Sequence, residues 1–477
     1  MPYHNTARPS RSGRFVPALT ALFLALFLFA FVSKYLQYYT FHINDFDAGI
    51  YSNLAWNIAT GKGYFSDVLQ VNHFSHHFSP IMYCIAPFYL LMDSVLVLFF
   101  FMALAYAAAF VILFHVFRDI LDDLGDRRTL AVAISLGILF FSAPLNAALY
   151  AQFHPSTLAL PFIALAILGL HGKTYWLVGL SVFFVLLTKE NSCLAVIGLG
   201  LYAWLVLGER RAGIVLCLVA LLYVPLVFAW IMPMFREGEW GHMSRVGIFT
   251  HIPRKIQYLV TLAGAFCFLP LFAPRALACA LPLICLNLAV SRVAQFSVRS
   301  QYDDMACVFL AVAAAHGLRN LVGILEAGPG RKLAVALCVA LVASGVYVDR
   351  RNVRFDRLIR LTKEARKDEF RQLRRELAPY IADKSVPVLA STDLGPYLSL
   401  RKEFRTILNE EEGSKNPGVV YGRAQLETMT PEHLGLASSV GDYGLWDGFY
   451  NSVREDGRFA VIHDSPVLFV FRRAVEP

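Results

Sequence analysis

Two aspartates one residue apart, Asp45 and Asp47, open a polar stretch that continues through His73, His76 and His77. A carboxylate can take a proton from a hydroxyl, and neighbouring imidazoles can hold a divalent metal ion. Asp47 is the better general base, with Asp45 orienting a metal or an acceptor. A second reading has Asp47 capping the helix expected over "AGIYSNLAWNIA", a role aspartate fills without chemistry. The three histidines follow no recognised zinc spacing, so solvated interfacial positions or contacts to lipid phosphate stand beside the metal reading. Lys189 and Glu190 in "LTKENS" (187–192) fall at the tip of a tight turn between apolar runs. An ionised carboxylate is costly there unless paired, which gives a site residue near phosphate or metal, or else a solvated turn. Arg245, Arg292 and Arg299 flank apolar runs, where a guanidinium fork suits either phosphate recognition or anchoring to headgroups. Tyr302 follows Arg299 closely and joins the same group.

The elements that must position these groups are apolar. The 477 residues are 57% hydrophobic and 16% charged, and the mean hydropathy is +0.53. That composition excludes an ordinary soluble domain and predicts a polytopic membrane protein. Runs long enough to cross about 30 Å of hydrocarbon recur from residue 15 to residue 348. They divide into about eleven spans, near 15–36, 94–117, 129–147, 156–170, 174–188, 191–207, 212–234, 256–273, 276–290, 304–322 and 332–348. The stretch from Pro80 to Met92 is too short to span and reads as interfacial or re-entrant. The first run lacks a small-residue cleavage site and ends in Lys34, Tyr35, Tyr38 and Tyr39, so it reads as a retained helix.

Arg8, Arg11 and Arg14 place the N-terminus inside, and the same threading puts most loop arginines and lysines inside. The loop 37–93, "YAQFHPST" (150–157), "LTKENS", and the segments 235–255 and 291–304 then share the outer face. The net charge of +8 would suit nucleic acid, but many of the basic residues end apolar runs, and nucleic-acid binding is not expected. The eight cysteines lie in or beside apolar runs, and no disulfide framework is implied.

Residues 1–348 therefore read as an all-α membrane domain and 349–477 as an extracytoplasmic domain. An amphipathic helix opens the latter at Phe355, and strands are expected at 386–391, 442–447, and in a hairpin of "RFAVIH" with "VLFVFRR". A small α/β fold follows, without a glycine-rich phosphate loop.

The ordered fragments "DFDAGIYSNLAW", "HHFSPI" with "APFYLL", "FHPSTLALP", "TKENSCLAVIGLGLY", "STDLGPYLSLR" and "DYGLWD" resemble the membrane-protein family called domain of unknown function 2079. That family is similar in turn to GT-C glycosyltransferases, multi-pass enzymes that take a sugar from a polyprenyl-phosphate carrier. The resemblance implies a GT-C-like membrane core, an essential acid in the first outer loop at Asp47, and a soluble domain after the last helix. It also implies a polyprenyl-phosphate-linked sugar donor, the lipid bilayer as partner and the cytoplasmic membrane as location. Adjacent acids are common in that loop, whereas Phe46 separates the two here. A transporter, or a non-enzymatic envelope protein, is the alternative; no convincing internal repeat or mid-span charge favours a transporter.

Overall fold

The computed structural model describes residues 16–236, 246–327, 355–407, 429–440 and 446–474, together with positions 343, 347 and 426. The expected span 332–348 lies outside the described residues apart from those two positions, as does Arg245.

Four described helices are long and apolar enough to cross a bilayer: Val16–Tyr39, Leu96–Ile120, Arg210–Phe235 and Gln301–Ile324. The first and third turn most of their surface outward, as lipid-facing helices do, while Leu96–Ile120 and Gln301–Ile324 are mostly buried at the centre. A fifth crossing forms if the pair Asp122–Phe141 and Ala143–Tyr150, bent by 49° at Ser142, counts as one span. The expectation of about eleven spans is therefore not met by helix length among the described residues. The runs expected at 156–170, 174–188, 191–207 and 276–290 instead form the shorter helices Pro155–His171, Tyr175–Thr188, Glu190–Val206 and Pro274–Ala289. At 1.5 Å per residue, such helices fall short of the full hydrocarbon thickness.

The loop 37–93 is folded rather than extended. Asp45–Gly49 make one π-helical turn that runs directly into the helix Ile50–Ala59. A short antiparallel hairpin of β1 (Phe65–Ser66) and β2 (Val71–Asn72) follows. The stretch expected to be interfacial forms the short helices Met82–Ile85 and Ala86–Leu90, with Tyr83, Phe88, Leu90, Leu91 and Met92 exposed.

Beyond the membrane helices, the expected amphipathic helix is split into Phe355–Glu364 and Asp368–Ala382. A five-stranded sheet is then built from β3 (Val388–Ser391), β4 (Phe404–Ile407), β5 (Leu434–Ser438), β6 (Phe459–Asp464) and β7 (Leu468–Arg473), in the order β4-β3-β5-β7-β6. β3 runs parallel to β4 and β5, while β7 pairs antiparallel with β5 and with β6 in the expected hairpin. Most of the strand expected at 442–447 lies outside the described residues, and Trp446 starts a helix to Glu455. Its apolar residues are spaced for a helical stripe, and Val453 packs into the sheet.

The two faces of this sheet belong to different cores. Val388, Ala390, Leu434, Leu436, Leu468 and Val470 face a cluster shared with Phe41, Ile43, Leu54 and Met82 of the loop 37–93. Leu389, Ala437, Phe469 and Phe471 face the opposite side, against Val453. The period-two alternation of strand side chains thus makes one apolar core continuous across the loop and the sheet.

Candidate functional site

The two expected acids point to different places, although only Phe46 separates them. Asp47 sits 3.2 Å from His154, between its Oδ2 and the ring Nε2, and its side chain is 32% exposed. Burial alone would raise the Asp47 carboxyl, but the charges of His154, Lys189 and His77 outweigh it and hold the group below its ordinary range. Lys34, buried in the first membrane helix, lies within electrostatic reach of Asp47, and its ammonium donates to the Ala151 carbonyl. Arg357 stands over the Tyr150 ring and within electrostatic reach of Lys34. The carboxylate is therefore ringed by cations.

Asp47 does not cap the helix. Asn44 does, with an extended backbone and a side-chain oxygen that accepts from the Phe46 amide at 3.1 Å. Gln152 braces the same turn, its Oε1 accepting from the amides of Asn44 (3.1 Å) and Ala48 (3.2 Å). Two backbone amides and a caged turn thus leave the Asp47 carboxylate free of a local structural duty.

Asp45 is wholly buried. Its Oδ2 accepts from Thr406 Oγ1 at 2.6 Å, and its amide donates to the Thr392 carbonyl at 2.9 Å. Burial pushes this carboxyl well above the ordinary range; the Thr406 bond opposes that and the nearby Asp393 adds to it. The position expected to orient a metal or an acceptor is thus enclosed against the C-terminal sheet.

Glu190 is also buried, and both of its oxygens are engaged. Oε1 lies 2.9 Å from His77 Nδ1, and Oε2 accepts from the Phe78 amide at 3.1 Å. Burial would raise this carboxyl, yet His77 and Lys189 hold it down to about 2. The solvated-turn reading fails, because the acid ties the turn at 189–192 to the loop "HHFSPI". Its neighbour Lys189 turns the other way and lines a polar cleft.

That cleft is lined by His154, Ser156, Lys189, Asn191, Tyr302 and Asp304, among others. Asn191 Oδ1 is buried with no hydrogen-bond partner among the described residues. Asp304 accepts from Ser156 Oγ at 2.6 Å and from the Met305 amide at 2.7 Å. Its neighbour Asp303 is bound by Tyr258 (2.6 Å) and Asn287 (2.9 Å). His154 connects the two parts of the site, since it stands on the cleft wall and touches Asp47.

The expected metal triad is not assembled. His73 is sealed between Tyr51 and Tyr64, with neither ring nitrogen hydrogen-bonded among the described residues, and burial pushes it well below the ordinary imidazole range. His76 is exposed and His77 is committed to Glu190. Among the described residues, no group of three or more His, Cys, Asp or Glu side chains is arranged to hold a metal ion. Tyr302 does line the cleft, whereas Arg292 and Arg299 are exposed and do not.

His154 is expected from the sequence only as a candidate metal ligand from a distant loop, and Gln152, Ser156 and Asp304 are not singled out as site residues. The polar cluster "YAQFHPST" on the expected outer face was the signal for the first three. Asp304 sat at the edge of an apolar run, where one acid beside another reads as a boundary.

The fold has a solved counterpart. It aligns with the crystal structure of ArnT from Cupriavidus metallidurans bound to undecaprenyl phosphate at a TM-score of 0.54 and 15% identity, covering 96% of this chain and 98% of that one. The apo crystal structure of ArnT from the same organism aligns at 0.46, again with 15% identity, over 97% of this chain and 98% of that one. No curated protein matches the sequence. Residues 37–417 match the family described as "Predicted membrane protein (DUF2079)", and the chain belongs to that family.

Proposed function

We propose that this protein is a GT-C-type membrane glycosyltransferase that takes a sugar from a polyprenyl-phosphate carrier. The observation that carries the reading is the Asp47 carboxylate, kept ionised by His154 inside a ring of cations at the edge of a polar cleft. A fold shared with a structure that holds undecaprenyl phosphate supports it.

The chemistry follows from the charges. An acceptor hydroxyl gives its proton to Asp47 as its oxygen bonds to the anomeric carbon of the donor sugar. The bond from that carbon to the phosphate oxygen breaks, and the electron pair leaves with the phosphate. Lys189, on the cleft wall, is placed to stabilise the charge that builds on the leaving oxygen. The cleft supplies acceptors for sugar hydroxyls at Asn191 Oδ1 and Asp304. Glu190 fixes the turn that carries Lys189 and takes no proton itself, because both oxygens are occupied.

The same reading takes the shorter apolar helices as crossing the bilayer with the long ones. It sets the N-terminus on the cytoplasmic side and the sheet outside, with 1–348 as the membrane part and 349–477 as the outer part. The test is turnover by purified protein in lipid, offered a panel of radiolabelled polyprenyl-phosphate sugars. The expected result is transfer by wild type that is lost in Asp47→Asn. A folded wild type inert across the panel would sink the proposal.

A further inference from the structure

Asp45 and Asp47 share one π-helical turn but face opposite partners, and that geometry needs an explanation beyond proton transfer. Methyl groups built at Gly49 and at Gly395 would both overlap the Asp45 carboxyl. The acid is thus clamped between a glycine of its own turn and the glycine that opens the helix Gly395–Leu398. Thr406 on β4 closes the clamp through its hydroxyl, and Thr392 receives the Asp45 amide. Three separate points of the C-terminal unit therefore converge on one loop residue.

Other contacts hold the same two pieces together farther away. Arg374 donates to the carbonyls of Tyr38 (3.2 Å) and Tyr39 (2.8 Å), and Tyr397 donates to Tyr38. Asn53, one helical turn beyond Gly49, donates to the Ser399 carbonyl at 2.8 Å. These contacts attach the sheet to the loop on either side of the turn. Among the described residues, only the Asp45 clamp lies within the turn that carries Asp47.

We infer that Asp45 is a positioning residue: it is the peg by which the C-terminal sheet sets the turn that presents Asp47 to the cleft. The inference rests on Asp47 being the base of the proposed reaction. The sheet grips Asp45 from one side while Gln152 grips Asn44 and Ala48 from the other. Between them the Asp47 backbone has little freedom, as a reacting carboxylate requires. A displacement of about 1 Å in such a group can cost about a hundredfold in rate. The C-terminal unit then acts on the reaction through its hold on Asp45.

The experiment uses the full chain in lipid nanodiscs and two readouts, the kinetics of transfer from a polyprenyl-phosphate sugar and trypsin protection of the segment 355–407. Gly395→Val and Asp45→Ala are expected to speed cleavage by about tenfold or more, since the docked state is less populated. They should lower kcat about a hundredfold with KM nearly unchanged, because substrate contacts remain while the base is misplaced. Asp45→Asn should restore most of both, since an amide offers Thr406 the same acceptor and fills the same space. Thr406→Val, which removes one hydrogen bond, should fall between. Loss of turnover in Asp45→Asn as complete as in Asp47→Asn, with protection intact, would overturn the inference and make Asp45 a participant in the chemistry. Unchanged protection in Gly395→Val would overturn it as well. If wild type transfers no sugar, the functional reading fails alone, and the protection arm still decides the docking.

Discussion

His154 Nε2 stands 3.2 Å from Asp47 Oδ2, with the imidazole almost fully buried and the carboxylate partly open. The ring comes from the segment after the bent helix pair, more than a hundred residues along the chain, so the contact joins the loop 37–93 to the membrane core. It is also the nearest of the cations that hold the carboxyl below its ordinary range. Asp47→Asn should reduce turnover by about two to four orders of magnitude, as loss of a general base does. His154→Ala should act differently. Without the ring the Asp47 pKa rises, so the carboxylate forms only at higher pH. The acid limb of the kcat/KM profile is expected to move upward in pH, and an unmoved limb would separate the ring from the base.

In the proposed reaction Lys189 serves the leaving group, besides helping to hold the Asp47 carboxyl below its ordinary range. A charge-assisted contact to phosphate is worth roughly 1.5–3 kcal/mol, so Lys189→Gln should lower kcat/KM by about tenfold to a hundredfold. Lys189→Arg should recover part of that, since the charge is kept but the fork is wider. Equal losses in both variants would mean that shape, and not charge, matters at this position.

Much of this was legible in the sequence, for physical reasons that also mark the limits. Hydropathy and length place the long helices, because burial in lipid acts on every residue of a span. The hairpin of β6 and β7 and the strand at β3 follow from β-branched and aromatic runs bounded by turn residues. β4 and β5 were missed because four or five residues with polar neighbours carry almost no periodic signal. The acids at 45 and 47 were found together, but their division of labour was not, since it depends on Thr406 and Gly395 some 350 positions away. Glu190 was expected to need a partner elsewhere, and His77 is that partner.

The Glu190 contact predicts acid lability. Its folded pKa is about 2 against an ordinary 4.5, so the unfolded chain binds a proton first as the pH falls. The stabilisation is present above about 4.5 and is lost progressively as pH falls towards 2. Glu190→Gln removes that dependence and weakens the contacts to His77 and the Phe78 amide. Thermal unfolding in detergent between pH 7 and pH 3 checks both effects. A wild-type melting curve flat through that range would contradict the buried ion pair.

Packing at the bundle centre makes a prediction independent of chemistry. Gly317, in the buried helix Gln301–Ile324, approaches the carbonyl of Leu269 so closely that a methyl group there would overlap it. Small residues at such crossings let backbones meet in a bilayer, where van der Waals contact is a principal source of helix association. Gly317→Ala should therefore destabilise the protein by about 1–3 kcal/mol. The measure is the half-life of binding-competent protein in detergent, with Gly323→Ala, which meets nothing, as the control.

Metal dependence follows from where the histidines lie. A divalent ion would need several donors converging on one point, yet His73 is sealed among tyrosines, His77 is bonded to Glu190, and His76 faces outward. Asp45 is enclosed between Gly49, Gly395 and Thr406. Under the proposed reaction, charge neutralisation of the donor phosphate is assigned to fixed cations, Lys189 above all. Turnover is expected to survive prolonged chelator treatment within about twofold, because no ligand set has to be refilled. His76→Ala should be equally silent, since its ring is exposed and the neighbouring acid is already held by His77. Chelator-sensitive activity, restored by one particular divalent ion and lost again in His76→Ala, would show that the histidines rearrange around metal during the reaction.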